Sequence, residues 1–217
     1  MPKVSICIPI YEMDRGEMFL KRALDSIIVQ SFKDFEVIIS DDSVTDKLKD
    51  FVEDYLQDKV KFKYVKNTTP KGMANNTNFA IDNATGDFIK ILYQDDYFFA
   101  ENSLQQIVDE LKEDTKWLVT ACIHDMEGEL KYQHLPTYSE EVNSIGSPSV
   151  LTISKSVFER FDPKLTWVLD LELYRRLFKH YGPPIFLNEI NVVIGIGDHQ
   201  VTNKLTTAQK LQEELTI

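Results

Sequence analysis

The chain is poor in metal-binding and cross-linking side chains. Its 217 residues include two cysteines and four histidines, with no Cys-x-x-Cys pair. That argues against a cysteine metal centre. Cys7 and Cys122 each sit inside an apolar run. Both are predicted to be buried free thiols, which suits a reducing cytoplasm. No apolar run reaches the roughly 20 residues of a membrane-spanning helix, so contact with a membrane is at most peripheral. The opening Met1-Pro2-Lys3-Val4-Ser5-Ile6 is too strand-like for a signal peptide. A basic footprint is missing as well. Lys and Arg number 24 against 35 Asp and Glu, for a net charge of −11. Nucleic acid is therefore not the expected partner. An acidic chain that binds a diphosphate needs local positive charge, and a metal ion supplies it. No internal repeat, low-complexity tract or linker divides the sequence. One domain over residues 1–217 is expected, long enough to bury a core.

What is present is an alternation of short apolar runs with helical spacings. Residues 3–9, 35–39, 60–65, 88–92 and 117–123 read as strands. Between them, residues 18–30, 45–56, 72–84 and 103–111 carry apolar positions at helical intervals, as in Phe19, Leu20, Ala23, Leu24, Ile27 and Ile28. This order predicts a mostly parallel sheet with helices on both faces. The second half is less regular. Residues 131–146 read as a long loop or hairpin, 147–153 as a strand, and 170–181 as a helix stopped by Gly182-Pro183-Pro184. A strand over 192–196 and a helix over 206–215 follow.

Polar clusters stand at three strand ends: Pro9-Ile10-Tyr11-Glu12, Asp41-Asp42-Ser43 and Asp95-Asp96. The C-terminal ends of parallel strands share one edge, so the three clusters converge on one crevice. Adjacent carboxylates there repel each other unless something cationic joins them. Hard divalent ions such as Mg²⁺ take oxygen ligands of this kind. A solvated Asp-Asp turn is the alternative, since Asp is a common turn residue.

The motifs resemble the family 2 glycosyltransferases, which have the Rossmann-like GT-A fold. Val4-Ser5-Ile6-Cys7-Ile8-Pro9-Ile10-Tyr11 matches the family's first strand. Ser26-Ile27-Ile28-Val29-Gln30-Ser31-Phe32-Lys33-Asp34-Phe35-Glu36 matches the end of its first helix and the next strand. Asp41-Asp42-Ser43-Val44-Thr45-Asp46, then Asn67, Gly72, Asn75 and Asn78, then Ala84-Thr85-Gly86-Asp87-Phe88-Ile89 continue the pattern. Many members carry Asp-x-Asp-Asp next, where this chain has Tyr93-Gln94-Asp95-Asp96. The likeness is close over residues 3–115 and looser beyond. It implies a mixed, mostly parallel GT-A sheet. About 1–115 would form the nucleotide-sugar-binding half and about 116–217 the acceptor-binding half.

The resemblance further implies inverting transfer of a sugar from a nucleotide diphosphate, UDP by default, to a hydroxyl of a surface glycan or lipid-linked saccharide. Mn²⁺ or Mg²⁺ would serve as cofactor. Pro9, Tyr11, Glu12, Asp41, Asp42 and Asn75 would hold the nucleotide, with Lys71 near a phosphate. Asp96 would bind the metal directly, and Asp95 would meet the ribose or the metal through water. His199 would touch metal or diphosphate, although a lone histidine is more often structural. Asp170 would be the base, with Glu172 as substitute. From the residues alone Asp170 reads equally as a helix N-cap, and Lys71 as a solvated lysine. Two rival functions are a non-catalytic nucleotide-sugar module and a sugar-nucleotide pyrophosphorylase. The second expects a Gly-rich basic loop after the first strand. Here that loop is Tyr11-Glu12-Met13-Asp14-Arg15-Gly16.

Overall fold

A computed structural model describes residues 3–68 and 70–217. Its elements run β1 (Val4–Ile10), α1 (Gly16–Ile28), β2 (Phe35–Asp41), α2 (Lys47–Leu56), β3 (Phe62–Lys66), α3 (Met73–Asp82), β4 (Phe88–Ile91), β5 (Tyr97–Phe98) and α4 (Ser103–Glu110). The second half adds β6 (Trp117–Met126), β7 (Glu129–His134), β8 (Leu151–Ser154), α5 (Leu169–Tyr181), β9 (Ile185–Ile196) and α6 (Thr207–Glu214). One sheet carries all the strands, in the order β3-β2-β1-β4-β8-β6-β9-β5, with β7 paired to β6. It is a mixed sheet. β3, β2, β1 and β4 are mutually parallel, and so are β6 and β9. β8 joins the two groups by antiparallel pairing with β4 and β6.

Every residue of β1 and of β2 is buried. Such strands need cover on both faces, which is why they read as unbroken apolar runs rather than as alternation. α3 packs on β1 and β2, α1 on β5 and α4 on β9. The chain steps outward from β1 to β2 to β3 and then returns to the other side of β1 as β4. That reversal opens a crevice at the carboxyl ends of β1 and β4, where ligands of open α/β sheets bind. Gly86 brings β4 in beside β1. A Cβ there would lie 2.7 Å from the Ser5 amide nitrogen, and the Gly86 N–H instead donates to Ser5 Oγ at 2.8 Å.

Two elements depart from expectation, and the hairpin alternative near residue 131 holds. β9 starts at Ile185 rather than at 192. Asn188 and Glu189 interrupt its apolar pattern, and its register against β6 shifts at Thr120 and Ala121. Residues 129–134 form a hairpin strand on β6. The predicted strand at 147–153 begins as a 3₁₀ turn over Pro148–Val150, because proline supplies no ladder N–H. Cys7 and Cys122 are buried free thiols, as expected. No helix among the described residues is long and apolar enough to cross a membrane.

Candidate active site

The crevice at the β1/β4 reversal holds a cavity of about 420 Å³. Its lining includes Pro9, Tyr11, Asp42, Tyr93, Asp95, Asp170 and His199. Residues from the ends of β1, β2 and β4, from the start of α5 and from the segment after β9 therefore meet around one space. The three polar clusters do converge.

Their members do different work. Asp41 is fully buried and does not line the cavity. Its carboxylate accepts from the Ser43 hydroxyl and amide, from the Tyr64 hydroxyl, and from Lys66 Nζ at 2.9 Å. Burial alone would raise its pKa, but these donors outweigh burial and hold it below the usual carboxylate range. A group so fully engaged anchors β2 and is not available to read a base. Asp42 is the member that faces the cavity. It accepts from Asn67 Nδ2 at 2.7 Å and from the Gly72 N–H at 2.9 Å. Lys71 Nζ donates to the Asp42 carbonyl at 2.8 Å and sits 3.4 Å from its carboxylate. Lys71 is half exposed and outside the lining, so it serves Asp42 first. Glu12 also lies off the cavity. Its carboxylate takes the Thr45 hydroxyl and its amide donates to Ser43 Oγ.

Gln94 occupies the position at which an acid is absent. It is 3% exposed. Its Oε1 accepts the Tyr11 N–H and its Nε2 donates to the Gly16 carbonyl, both at 2.9 Å. One amide thus ties the end of β4 to the loop after β1 and to the start of α1. A carboxylate could accept the first bond but could not donate the second.

The adjacent acids divide their roles in the opposite sense to expectation. Asp96 is 2% exposed and turned away from the cavity. Its Oδ1 accepts the Gly195 N–H at 2.8 Å. Burial, and then Asp95, push its pKa well above the ordinary value, which favours the neutral acid. Lys90 lies fully buried nearby, lowered to about 7 by burial. Its Nζ donates to the Ser149 and Ile91 carbonyls. In this structure Asp96 is thus engaged with β9 and points away from the cavity, where the expectation had it face a metal. The cavity-facing acid is Asp95, whose Oδ2 lies 2.9 Å from His199 Nε2. Gly195 makes room for this turn, since a Cβ there would meet the Asp95 carbonyl oxygen at 2.5 Å. Arg22 holds the same carbonyl at 2.8 Å.

The Asp95–His199 pair fits a divalent ion. Two neighbouring ligands around an octahedral ion with bonds of about 2.1 Å stand about 3 Å apart. Among the described residues no third His, Cys, Asp or Glu joins them into a cluster. Two protein ligands leave positions for water and phosphate oxygens; the carboxylate suits a hard ion, and the imidazole nitrogen favours a transition-metal ion such as Mn²⁺ over Mg²⁺. The His199 ring packs on Phe19, with centroids 4.4 Å apart. Its buried Nδ1 has no partner among the described residues.

Asp170 faces the same cavity from α5. Val168 is the N-cap of that helix, and Asp170 lies in its first turn. Its Oδ1 accepts the Leu171 N–H at 2.8 Å and its Oδ2 accepts Asn143 Nδ2 at 2.7 Å. Burial raises its pKa to about 6 despite these bonds, and a base tuned toward neutrality is what proton abstraction at pH 7 needs. Glu172 cannot substitute from where it stands. It pairs with Arg176 at 2.5 and 2.7 Å around a separate surface hollow.

Some lining residues were not read from the sequence. Asn76 lines the cavity in place of Asn75. Its Nδ2 donates to the Ile10 carbonyl at 3.0 Å and its Oδ1 takes the Ser40 hydroxyl at 2.6 Å. The signal was the buried spacing Asn76, Thr77, Ala80 on α3, which leaves Asn75 about 100° off that face. Thr166, Trp167 and residues 200–202 complete the rim. They carry no pattern that marks a site.

The fold and this crevice define an α/β protein with its ligand site at the reversal of the sheet, and comparison with known sequences narrows the class. The profile of glycosyl transferase family 2 matches residues 5–167, and the chain belongs to that family. A GalNAc(5)-diNAcBac-PP-undecaprenol beta-1,3-glucosyltransferase of Campylobacter jejuni is 31% identical over 159 residues, 73% of this chain and 48% of that protein. An uncharacterised glycosyltransferase of Rickettsia typhi is 27% identical over 98% of this chain and 69% of its own length. The chain thus spans about half of the first relative and about two thirds of the second. Among solved structures, S. aureus TarS 1-349 in complex with UDP-GlcNAc superposes with a TM-score of 0.74 at 18% identity, over 98% of this chain and 64% of that one. The mannosyltransferase PcManGT of Pyrobaculum calidifontis, in complex with GDP-Man and Mn²⁺, gives 0.71 at 16% identity, over 99% and 63%. These likenesses establish the GT-A fold.

Proposed function

We propose that this chain is one GT-A domain that transfers a sugar, with inversion, from a nucleotide diphosphate to a hydroxyl acceptor. The observation that carries the reading is the placement of Asp170, raised to about 6, on the cavity that also holds the Asp95–His199 pair. A leaving diphosphate gains charge as the glycosidic bond breaks. Asp95 and His199 would hold Mn²⁺ or Mg²⁺, which supplies neutralisation of that charge when bound. Pro9, Tyr11 and Asp42 would grip the nucleoside, while Asn76 and Gln94 fix the loop that carries Tyr11. Asp170 takes the acceptor proton at its carboxylate as the acceptor oxygen attacks the anomeric carbon. One base and one displacement invert that carbon.

UDP as the donor nucleotide draws support from the TarS complexes, and a divalent metal from the PcManGT complex. A lipid-linked saccharide or surface glycan as acceptor draws support from the printed activity of the Campylobacter relative. The buried free thiols support a cytoplasmic site of action. The test is calorimetric titration of UDP-sugars and GDP-mannose with Mn²⁺ and again with EDTA, followed by assay of nucleotide release. Metal-dependent binding with slow release of UDP is expected. Binding unchanged by EDTA would remove the metal role, and binding with no turnover would leave a nucleotide-sugar module.

A further inference from the structure

We propose that Glu213, on the last helix, is a positioning residue for Asp170. It holds the segment that presents the base by accepting the backbone N–H groups that lead into α5. The inference rests on the reading of Asp170 as base.

Val168 stands at the N-cap of α5 and has no side-chain acceptor, while inside the first turn Asp170 Oδ1 takes the Leu171 N–H. The N–H groups of the segment that leads into the helix are taken up by Glu213 Oε2, from the far end of the chain. It accepts the N–H of Thr166 at 2.9 Å, of Trp167 at 2.6 Å and of Val168 at 3.3 Å. Glu214 Oε1 takes Trp167 Nε1 at 2.8 Å. Lys210 Nζ lies over the Trp167 ring, 4.2 Å from its centroid. Three side chains of α6 thus close on the residues just before Asp170.

The character of α6 sharpens the assignment. An ordinary surface helix is held by an apolar stripe facing the core. α6 buries no residue, and Leu211 and Leu215 are exposed. Its start is fixed by its own capping box, Thr206 with Gln209. Its tertiary polar contacts are directed at the 166–168 segment. It also follows, through a short 3₁₀ turn, the residues 200–202 that line the cavity and His199 itself. One short stretch of chain therefore supplies His199 to one wall and holds the base on the other. Around Asp170 the remaining polar neighbours are neutral. Asn143 is an amide, and Tyr93 and Tyr174 have pKa values raised by burial. The 166–168 segment leads directly into Asp170, so its geometry bears on how deeply that carboxyl is buried.

The experiment compares wild type with E213A, E213Q and E214A. Amide hydrogen exchange at Trp167 and Val168 should rise about tenfold or more in E213A, since bonds to a charged acceptor are lost. The Asp170 carboxyl, titrated by carbon NMR, should fall from about 6 toward the ordinary carboxylate range as water reaches it. UDP release from UDP-GlcNAc, with water as acceptor, should show kcat down by about tenfold and KM within about twofold. The acidic limb of the kcat profile should move with the Asp170 titration. E213Q retains an acceptor oxygen and should stay near wild type. E214A removes only the Trp167 Nε1 bond and should move every reading less, in the same direction. An Asp170 titration unchanged in both E213A and E214A overturns the proposal, as does E213Q behaving like E213A. A wild type that releases UDP from no UDP-sugar overturns the transfer reading instead, and the exchange and titration data still decide the positioning role.

Discussion

The two walls of the cleft solve the same problem with different economies of side chains. On one wall, α3 begins at Gly72, which has no side chain to cap it, and Asp42 accepts the Gly72 N–H at 2.9 Å. Asp42 also lines the cavity. On the other wall, α5 begins after Val168, and Glu213 accepts the amides that lead into it, 46 residues away from Trp167. Glu213 does not line the cavity, and Asp170 does. So one wall asks a single carboxylate to hold the entry to a helix and to face a ligand, while the other gives the entry to Glu213 and the cavity to Asp170. The split leaves Asp170 with one short contact to its own helix and one to Asn143. It remains free to be buried, raised in pKa and able to take a proton. Asp42 is tied down and reads as a fixed acceptor.

The largest expected effect tests the uncommitted wall. Asp170→Asn keeps shape and one hydrogen-bond acceptor oxygen but removes the proton acceptor. Turnover should fall by about 10²-fold or more, with nucleotide-sugar affinity unchanged. Stability should move the other way. The native carboxyl titrates near 6 against an ordinary 3.8, so between those values the native state binds the extra proton and stability declines as pH rises. The variant escapes that penalty of up to about 3 kcal/mol at pH 7, offset by about 1 kcal/mol or more for the one donor its amide cannot accept. For wild type, kcat should drop as pH falls through 6, where the base becomes protonated. Denaturant melts and pH–rate profiles check both signs. A variant with near-normal turnover would return Asp170 to a purely structural place at the helix start.

The second test sets the adjacent acids against each other. Asp95→Ala should abolish the metal-dependent part of nucleotide-sugar binding, by about tenfold or more, with little change in melting temperature. Asp96→Ala leaves the buried Gly195 N–H without its acceptor and should cost about 1–3 kcal/mol of stability. Asp96→Asn keeps an acceptor for that N–H and should recover most of the loss. Full stability in Asp96→Ala, together with lost metal dependence, would restore Asp96 as the direct ligand.

This pair also shows what the sequence made legible. Strand ends, their order and their convergence follow from buried apolar runs and parallel connections, so β1 to β4 and the crevice were readable. Which of two neighbouring carboxylates turns inward was not. In extended chain successive side chains alternate in direction, and the sequence does not print the phase after a strand has ended at Ile91. The phase is set by Gly195, on β9, which no local pattern links to Asp95. Asn75 and Asn76 pose the same problem on a helix. There the answer was present in the spacing with Thr77 and Ala80. Glu213 was illegible for another reason. An acceptor supplied from a distant helix leaves no local motif, and α6 has the outward look of a solvated helix.

The smallest effect concerns Lys71, which lies beside the committed wall. A lysine before a helix N-terminus suggests phosphate binding. Yet its side chain is 54% exposed, sits outside the cavity lining and is already paired with Asp42. An exposed ion pair contributes at most about 1 kcal/mol. Lys71→Ala should therefore change UDP affinity by less than about fivefold, with the difference fading as salt is raised. Asp42→Asn should exceed it, because Asn retains the helix cap while the charge facing the cavity is lost. If the order is reversed, and Lys71→Ala costs tenfold or more in affinity for UDP but not for uridine, then the lysine leaves Asp42 when the nucleotide binds and meets the diphosphate. In that case the capping carboxylate of this wall would be released on binding, and the contrast between the two walls would hold only for the empty cleft.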